Sequence, residues 1–426
     1  MAKQFNINRS SRAYKACAKE KTADARCWVW AKYTLIALIL FIWGCSNTGV
    51  GYKEIVIKNP LDIDRASETI GIPRDELKSL EEKFGLENLL IKEKGQEAYL
   101  VRQLIDYDLD GEVDEVLFQI DIKGNEEKHL VVEGKENGAS FQPDSKLTTY
   151  SRFIPERTDD YTWENDRVAF RTYGPEAQRL AEEGSPDGTL SSGIDLWLKR
   201  VEYAIIDKWY EKNLESIGYY HIDHGEGYDP YHVGPSRGVG GTGVYINDSI
   251  YVSKNFTSYK TIATGPIRTV FELTYASWKG GDQTIAETKR ISLDLGSNFT
   301  HFEIQLTSNN EVGNYMTGIT LHDKKGEVAY DKDEGWISYW EPMNDVSLGT
   351  AIVTNPKKVK EVVERRVNYP DQSHILAILN IEGNKVDYYA GFFWEKSNQF
   401  GSKEEWEMNI EELSERIQEP LIVTYR

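Results

Sequence analysis

Ile267-Arg268-Thr269-Val270-Phe271-Glu272-Leu273-Thr274-Tyr275 places Ile267, Phe271, Leu273 and Tyr275 on one face of an extended chain. Side chains of a strand alternate between its two sides, so this segment is apolar on one face and polar on the other. The next two segments repeat the pattern. Ile291, Leu293 and Leu295 alternate with Ser292 and Asp294, and Phe302, Ile304 and Leu306 alternate with Glu303 and Gln305. Half-buried strands of this kind belong to antiparallel sheets with one face on a core. Residues 347–354, 374–381 and 385–394 add further strand-like pieces. Many strands at short spacing, joined by glycine-rich turns, predict a mainly β chain: a large antiparallel β-sandwich with a few helices. No internal repeat is visible, which argues against a propeller or a solenoid.

Residues 151–426 read as this main sandwich and as the catalytic region, and residues 54–150 as an N-terminal β-rich region with one helix and one hairpin. The helix falls within 72–89, opened by Pro73-Arg74-Asp75-Glu76 and closed by Gly85. The hairpin strands, 98–105 and 113–120, flank an Asp-rich turn. Residues 121–150 are polar and loop-like, and a last helical patch covers 402–417. Residues 46–53 form a short tether.

The first 45 residues differ in kind. Lys3, Arg9, Arg12, Lys15, Lys19, Lys21, Arg26 and Lys32 stand against only Glu20 and Asp24, and an apolar run from Leu35 to Trp43 leads into Gly44-Cys45-Ser46. A basic stretch, a short apolar run and a small residue before the cut is the layout of an export signal. The run is far shorter than the roughly 20 residues that span a bilayer as a helix. Cys45 after Gly44 resembles the bacterial lipoprotein signal, in which that cysteine is lipidated. Trp43 stands where a small residue is usual and the basic stretch is long, so an ordinary cleavable signal behind a later start is the alternative. The expected location is the periplasm or the outer membrane, with membrane contact only through the lipid anchor. All three cysteines, Cys17, Cys27 and Cys45, lie in this segment. The body therefore has no catalytic thiol, no disulfide framework and no Cys-rich zinc site.

The chain carries 69 acids against 50 bases, a formal charge of −19. Nucleic acid is excluded as a partner, because phosphate binding needs clustered Lys and Arg. An anionic small substrate is not excluded, since a local basic pocket can sit in an acidic field. The nucleophile-elbow, P-loop, dinucleotide and zincin motifs are all missing, which sets aside acyl-transfer, nucleotide and hydride chemistry.

Three stretches carry candidate chemistry. The densest is 219–241, which brings together His221, His224 and His232, of only seven histidines in the chain, with Asp229, Tyr231, Arg237 and a series of glycines. Histidine exchanges protons near neutral pH, and glycines let backbone approach a ligand closely. A solvated loop with turn-capping histidines is the plainer reading, and a metal site at His221, His224 and Asp229 a third one. The second stretch is 155–174. If 166–173 is a strand, Arg167 and Arg171 share a face and can hold a carboxylate or sulfate bidentately, while Trp163 is placed to stack on a sugar ring. Glu164 and Asp166 offer the competing reading, a structural ion-pair network. The third stretch, Asp106, Asp108 and Asp110 with Asp114 beyond, has the carboxylate spacing of a calcium loop, without the Glu that closes an EF-hand, since Leu117 stands there. An Asp-Gly hairpin turn explains it equally well. Calcium, if held, would be structural, and no cofactor is required.

Pro155-Glu156-Arg157, Trp163-Glu164-Asn165-Asp166-Arg167, 192–200 (Ser-Gly-Ile-Asp-Leu-Trp-Leu-Lys-Arg) and the 220–234 string with His221, Asp223, His224, Glu226, Asp229 and Tyr231 resemble the uncharacterised-domain family numbered 4861. These are secreted bacterial proteins associated with polysaccharide breakdown, and one branch resembles the oligosaccharide dehydratase of marine ulvan degradation. The likeness runs over roughly residues 52–426. It implies a galactose-mutarotase-like supersandwich, with which the Gly265-Pro266-Ile267-Arg268 strand entry agrees. It further implies an anionic oligosaccharide partner of uronate and sulfated rhamnose. The implied reaction is removal of water from the non-reducing-end glucuronate or iduronate, giving a 4,5-unsaturated uronate.

That chemistry needs three things: a cation for the uronate carboxylate, a base for the weakly acidic C5 proton, and an acid for the departing 4-hydroxyl. His221 or His224 is expected as base and Tyr231 as acid. Trp163, Arg167, Arg171, Arg237 and Asp229 are expected to bind substrate. A mutarotase-like epimerase or a polysaccharide lyase uses similar groups, and a non-catalytic glycan-binding lipoprotein uses none of them catalytically.

Overall fold

The computed structural model describes residues 51–426, which form one compact unit. The export and lipidation reading, including Cys45, falls on residues outside those described. Among the described residues no helix is long and apolar enough to cross a membrane.

The chain is mainly β, and the alternation around residue 271 is realised as expected. Strand Arg268–Tyr275 pairs antiparallel with Gln283–Asp294, which pairs with Phe299–Ser308, then Lys385–Trp394, then Val346–Val353. These belong to a nine-stranded sheet. Its apolar face carries Phe271, Leu273, Ile291, Phe302 and Ile304. Facing it is a five-stranded sheet containing Val239–Ile246, Tyr315–Thr320 and His374–Leu379, which contributes Val244, Tyr315, Ile319 and Ile375 to the same core. Burying such side chains contributes about 1.5–3 kcal/mol each, which is what drives the two sheets together.

A second five-stranded sheet positions the site. It contains Tyr150–Ile154, Asp160–Glu164, Ala169–Thr172, Asp195–Lys199 and Gly227–Tyr228. One face packs into the main core through Tyr161, Trp163, Phe170, Leu196 and Leu198. The other face carries Asp160, Glu164, Arg171, Asp195, Trp197 and Lys199, and it too is buried. Helix Ile206–Glu215 covers part of it, with Trp209 and Tyr210 against Trp197. Glu164 accepts from the Ile205 and Ile206 amides at 2.8 and 2.9 Å, a carboxylate at the positive end of that helix, and Lys199 Nζ donates back to Glu164 at 2.8 Å.

The N-terminal region is not closed on itself. Its four-stranded sheet takes in the last strand of the chain, Ile422–Tyr425, which pairs with Tyr52–Lys58, so the boundary drawn at residue 150 is crossed. Tyr52 and Lys53, expected in the tether, belong to that first strand. The stretch 121–150 expected as loop contains strand Glu127–Gly134. The helix is Arg74–Phe84, the hairpin strands are Arg102–Ile105 and Glu115–Ile122, and the C-terminal helix is Lys403–Gln418 behind an Ser402 cap.

Candidate functional site

The site is centred on Arg171. Its strand position places it opposite Asp195 on one side and Thr162 on the other. Its Nε donates to Asp195 Oδ2 at 2.8 Å, and its Nη2 donates to Asp195 and, at 2.8 Å, to Asp229 Oδ2. Asp160 Oδ2 lies 3.9 Å from Nη1. Tyr173, Trp197 and Tyr220 present ring faces 5.3–5.5 Å from the guanidinium. Three buried carboxyls therefore surround one arginine, inside an aromatic wall.

An excess of acids in a buried site cannot be fully ionised. Burial, opposed by Arg171 and Arg157, pushes the Asp160 carboxyl up to about 6. Burial raises Asp195 despite the Arg171 charge, and burial with the Asp195 charge raises Asp229 well above the ordinary carboxyl range. Burial opposes the Arg171 charge, but Asp195 and Asp229 outweigh it and hold the guanidinium protonated. Oδ1 of Asp160 and of Asp229 have no hydrogen-bond partner among the described residues.

Asp229 reaches Arg171 because of how 221–238 runs. Gly227–Tyr228 pairs with Leu198 and Lys199 at one end of the Asp195–Lys199 strand, and Gly238 bridges Ile194 before its other end. The glycines make that approach sterically feasible. Gly227 has φ 117°, and a Cβ there would lie 1.9 Å from Leu198 O; at Gly238 (φ 56°) it would lie 1.8 Å from Ile194 O. The glycines at these points let the segment press on its own sheet, where the sequence reading has them admitting a ligand.

A cleft of about 450 Å³ opens above this cluster, lined among others by Arg157, Arg171, His221, Asp229, Tyr231 and His232. His221 is half exposed, with Nδ1 2.8 Å from the Asp229 carbonyl and 3.6 Å from its carboxylate. A carbonyl only accepts, so Nδ1 carries the proton and Nε2 keeps its lone pair when the ring is neutral. Arg157 donates to Tyr220 Oη at 3.1 Å and to Thr158 Oγ1 at 2.6 Å, both uncharged acceptors. Sequence reasoning missed Arg157, although it stands in a quoted motif, and missed Asp160 and Asp195.

Several expected site residues lie elsewhere. Trp163 is fully buried, stacks on Phe170 and donates from Nε1 to Thr300 Oγ1 at 2.9 Å, so no sugar ring reaches it. Arg167 precedes the strand, which is Ala169–Thr172; it donates to Asn298 at 2.6 Å and lies over Phe400, away from Arg171. Arg237 is buried inside the main sandwich, donating to Ser192 Oγ and the Thr242 carbonyl. His224 is exposed and stacks on Tyr219 at 4.1 Å, off the cleft lining, which also separates it from any metal set with His221 and Asp229. Tyr231 lines the cleft, but its hydroxyl is buried, and burial with the Glu341 and Asp195 charges pushes its ionisation well above the usual phenol range. In the Asp-rich turn, carboxyl oxygens of Asp106, Asp108 and Asp114 come within 4.8 Å of one another, and Asp110 is not in that group. The same carboxyls accept turn amides, Asp106 from Leu109 and Gly111 and Asp114 from Tyr107.

Fold and site together define a β-sandwich protein with a histidine- and arginine-lined cleft over a buried carboxyl cluster. The chain belongs to the family described as domain of unknown function 4861, whose model matches residues 57–423. A protein of Formosa agariphila, "Uncharacterized protein P7", is 50% identical over 395 residues, covering 92% of this chain and 98% of that one. Among solved structures, a glycosyl hydrolase family 38 protein of Enterococcus faecalis matches with TM-score 0.46 at 9% identity over 88% of this chain and 47% of that one. An α-mannosidase of the same species matches with TM-score 0.40 at 8% identity over 93% and 48%. The chain spans about half the length of those two proteins.

Proposed function

We propose that this protein is a carbohydrate-active hydro-lyase. In this reading it removes water from the non-reducing-end uronic acid of ulvan-type oligosaccharides and leaves a 4,5-unsaturated uronate. The observation that carries the reading is the pairing, in one cleft, of Arg157, whose hydrogen bonds go to the neutral Tyr220 and Thr158 oxygens while Asp160 is felt only through space, and His221, whose Nδ1 is held by the Asp229 carbonyl so that Nε2 keeps its lone pair. Arg157 neutralises the substrate carboxylate and so makes the C5 proton removable. His221 Nε2 takes that proton. The electron pair left at C5 forms the C4=C5 bond as the 4-hydroxyl departs. The imidazolium returns its proton to that oxygen, and water leaves. The acid role expected of Tyr231 passes to His221, because the Tyr231 hydroxyl is buried. The partner is an anionic oligosaccharide of uronate and sulfated rhamnose. No cofactor enters the reaction, and calcium at Asp106, Asp108 and Asp114 would serve only to stiffen the turn. Export as a periplasmic or outer-membrane lipoprotein through Cys45 belongs to the same proposal.

The test is ultraviolet absorbance of purified protein with saturated uronate-ended, sulfated oligosaccharides, followed by mass spectrometry. An enoate band with loss of one water at constant chain length supports the reading. An enoate band with chain cutting makes the protein a lyase. A folded protein that produces neither band nor mass change is an epimerase or a glycan-binding protein, and the reading falls.

A further inference from the structure

His322 lies outside the cleft lining, and both of its ring nitrogens are engaged. Nδ1 is 2.9 Å from each oxygen of Glu341, and Nε2 is 2.9 Å from the His232 carbonyl oxygen. A carbonyl accepts only, and a carboxylate accepts only. A neutral imidazole has a single N–H, so it satisfies one of these partners and turns a lone pair on the other. An imidazolium satisfies both. The same ring meets Tyr231 edge to face at 4.7 Å. His322 also has φ 26°, a left-handed conformation that non-glycine residues rarely adopt. Such a conformation persists where the surroundings fix it, and the side-chain bonds of His322 do so here.

We propose that His322, as an imidazolium bridging Glu341 and the His232 carbonyl, latches the cleft-lining segment 231–235 to the sandwich, and that losing its proton releases that segment. His322 is a positioning residue: it acts on the cleft through Tyr231 and His232. Because the latch concerns the segment itself, it stands apart from the dehydratase reading.

The groups facing His322 agree with a retained proton. Glu341 comes from strand Trp336–Met343. Asp371, which pairs with His232 Nε2 at 3.2 Å, adds a second negative charge, and Asp323 follows in the chain. Burial opposes the charge, but Glu341, the His232 carbonyl and Asp371 outweigh it and raise the imidazole above its ordinary value. On the remaining side His374 is buried and pushed down to about 3, so it stays neutral.

The test combines a histidine NMR titration of the full chain with hydrogen exchange of the Asp229 and Ser236 amides, corrected for intrinsic pH dependence. Those amides donate to the Tyr220 and Val233 carbonyls. Protection of both is expected to fall about tenfold as pH rises through the His322 titration, the strength of one charge-assisted hydrogen bond. In His322→Gln, whose lost resonance identifies the signal, protection is low at every pH. In Glu341→Gln the fall moves to lower pH and the low-pH plateau is kept. Protection that stays constant through the His322 titration overturns the latch, as does wild-type protection in His322→Gln. Should His322→Gln fail to fold, Glu341→Gln decides, and an unmoved midpoint overturns the proposal.

Discussion

Arg171 and Arg237 are both buried guanidiniums, 5% and 2% exposed, yet their surroundings are opposite. Around Arg171 stand Asp160, Asp195 and Asp229, so acids exceed bases. Around Arg237 the partners are neutral oxygens, Ser192 Oγ at 3.0 Å and the Thr242 carbonyl at 3.3 Å. The charges it feels are Glu287 and a second cation, Lys289, which lies 3.5 Å from Glu287. Bases exceed acids there. Burial pushes Arg237 down to about 10 with only partial relief from Glu287, whereas Asp195 and Asp229 carry Arg171 the other way. The first cluster opens to the cleft beneath His221, and the second is enclosed between the two large sheets. The difference teaches that residue type alone sets neither a buried arginine's charge balance nor its access to a ligand. What matters is the sign of the local excess and whether a segment such as 221–238 leaves an opening.

The largest effect that would break this comparison lies at the open cluster's mouth. His221→Ala removes the base proposed for the elimination while leaving the cluster below intact. Turnover is expected to drop about 10²–10⁴-fold, and the thermal midpoint to move by no more than about 2 °C, because the side chain is half exposed. Steady-state rates beside calorimetry check this. Retained turnover would deprive the open cluster of its chemical meaning.

Next come the two arginines themselves. Arg171→Met leaves three carboxyls facing one another and is expected to cost about 3–5 kcal/mol of unfolding free energy. Arg237→Met removes one charge from a cluster with a surplus of cations. Glu287 keeps Lys289, Ser253 and Tyr315 as partners, so the expected cost is about 1 kcal/mol or less. Denaturant titrations of both variants measure the contrast directly, and equal costs would erase it.

Why the sequence separates these clusters so poorly can be seen residue by residue. The alternation in 267–275 and 299–308 marks sheet faces clearly, because those strands have one polar side at the surface. The same period in 160–164 and 195–199 implies one wet face and is misleading, since both faces are buried and the charged one is paired internally. Trp163 looks like a sugar platform only if its strand is taken to lie at a surface, whereas its own face packs into the main core with Tyr161 and Phe170. Arg167 joins Arg171 on one face only if the strand begins at 166, three residues upstream of its start at Ala169. Asp229 and His221 were legible from histidine clustering, whereas Asp160 and Asp195 are brought in by sheet pairing, and Arg157 by the turn Pro155–Arg157 between two paired strands, none of which a local pattern encodes. His322 and Glu341, distant in sequence from the cleft, carried no signal.

A smaller effect sharpens the electrostatic side of the comparison. Asp160 has its pKa raised to about 6 in the fold from an ordinary 3.8. A carboxyl raised on folding favours the folded state while it is protonated. Its contribution is therefore fullest below the unfolded pKa and declines as pH rises through about 6. Stability measured between pH values bracketing this window should fall with rising pH more steeply in the wild type than in Asp160→Asn. Parallel slopes would mean that Asp160 is ionised without penalty and that the open cluster has no surplus of acid.

The smallest expected effect discriminates between neighbours three positions apart in one loop. His224 stacks on Tyr219 at the surface, and His221 sits over Asp229. A surface stack in water contributes within about 0.5 kcal/mol. His224→Ala should therefore leave turnover and the thermal midpoint near wild type, while His221→Ala abolishes most turnover. Measured together on the same oligosaccharide, the pair separates proton exchange at one placed nitrogen from the general presence of histidine in the segment. A comparable loss in both variants would mean that the segment acts as a unit, and the argument from the His221 Nδ1 bond would no longer single out its Nε2.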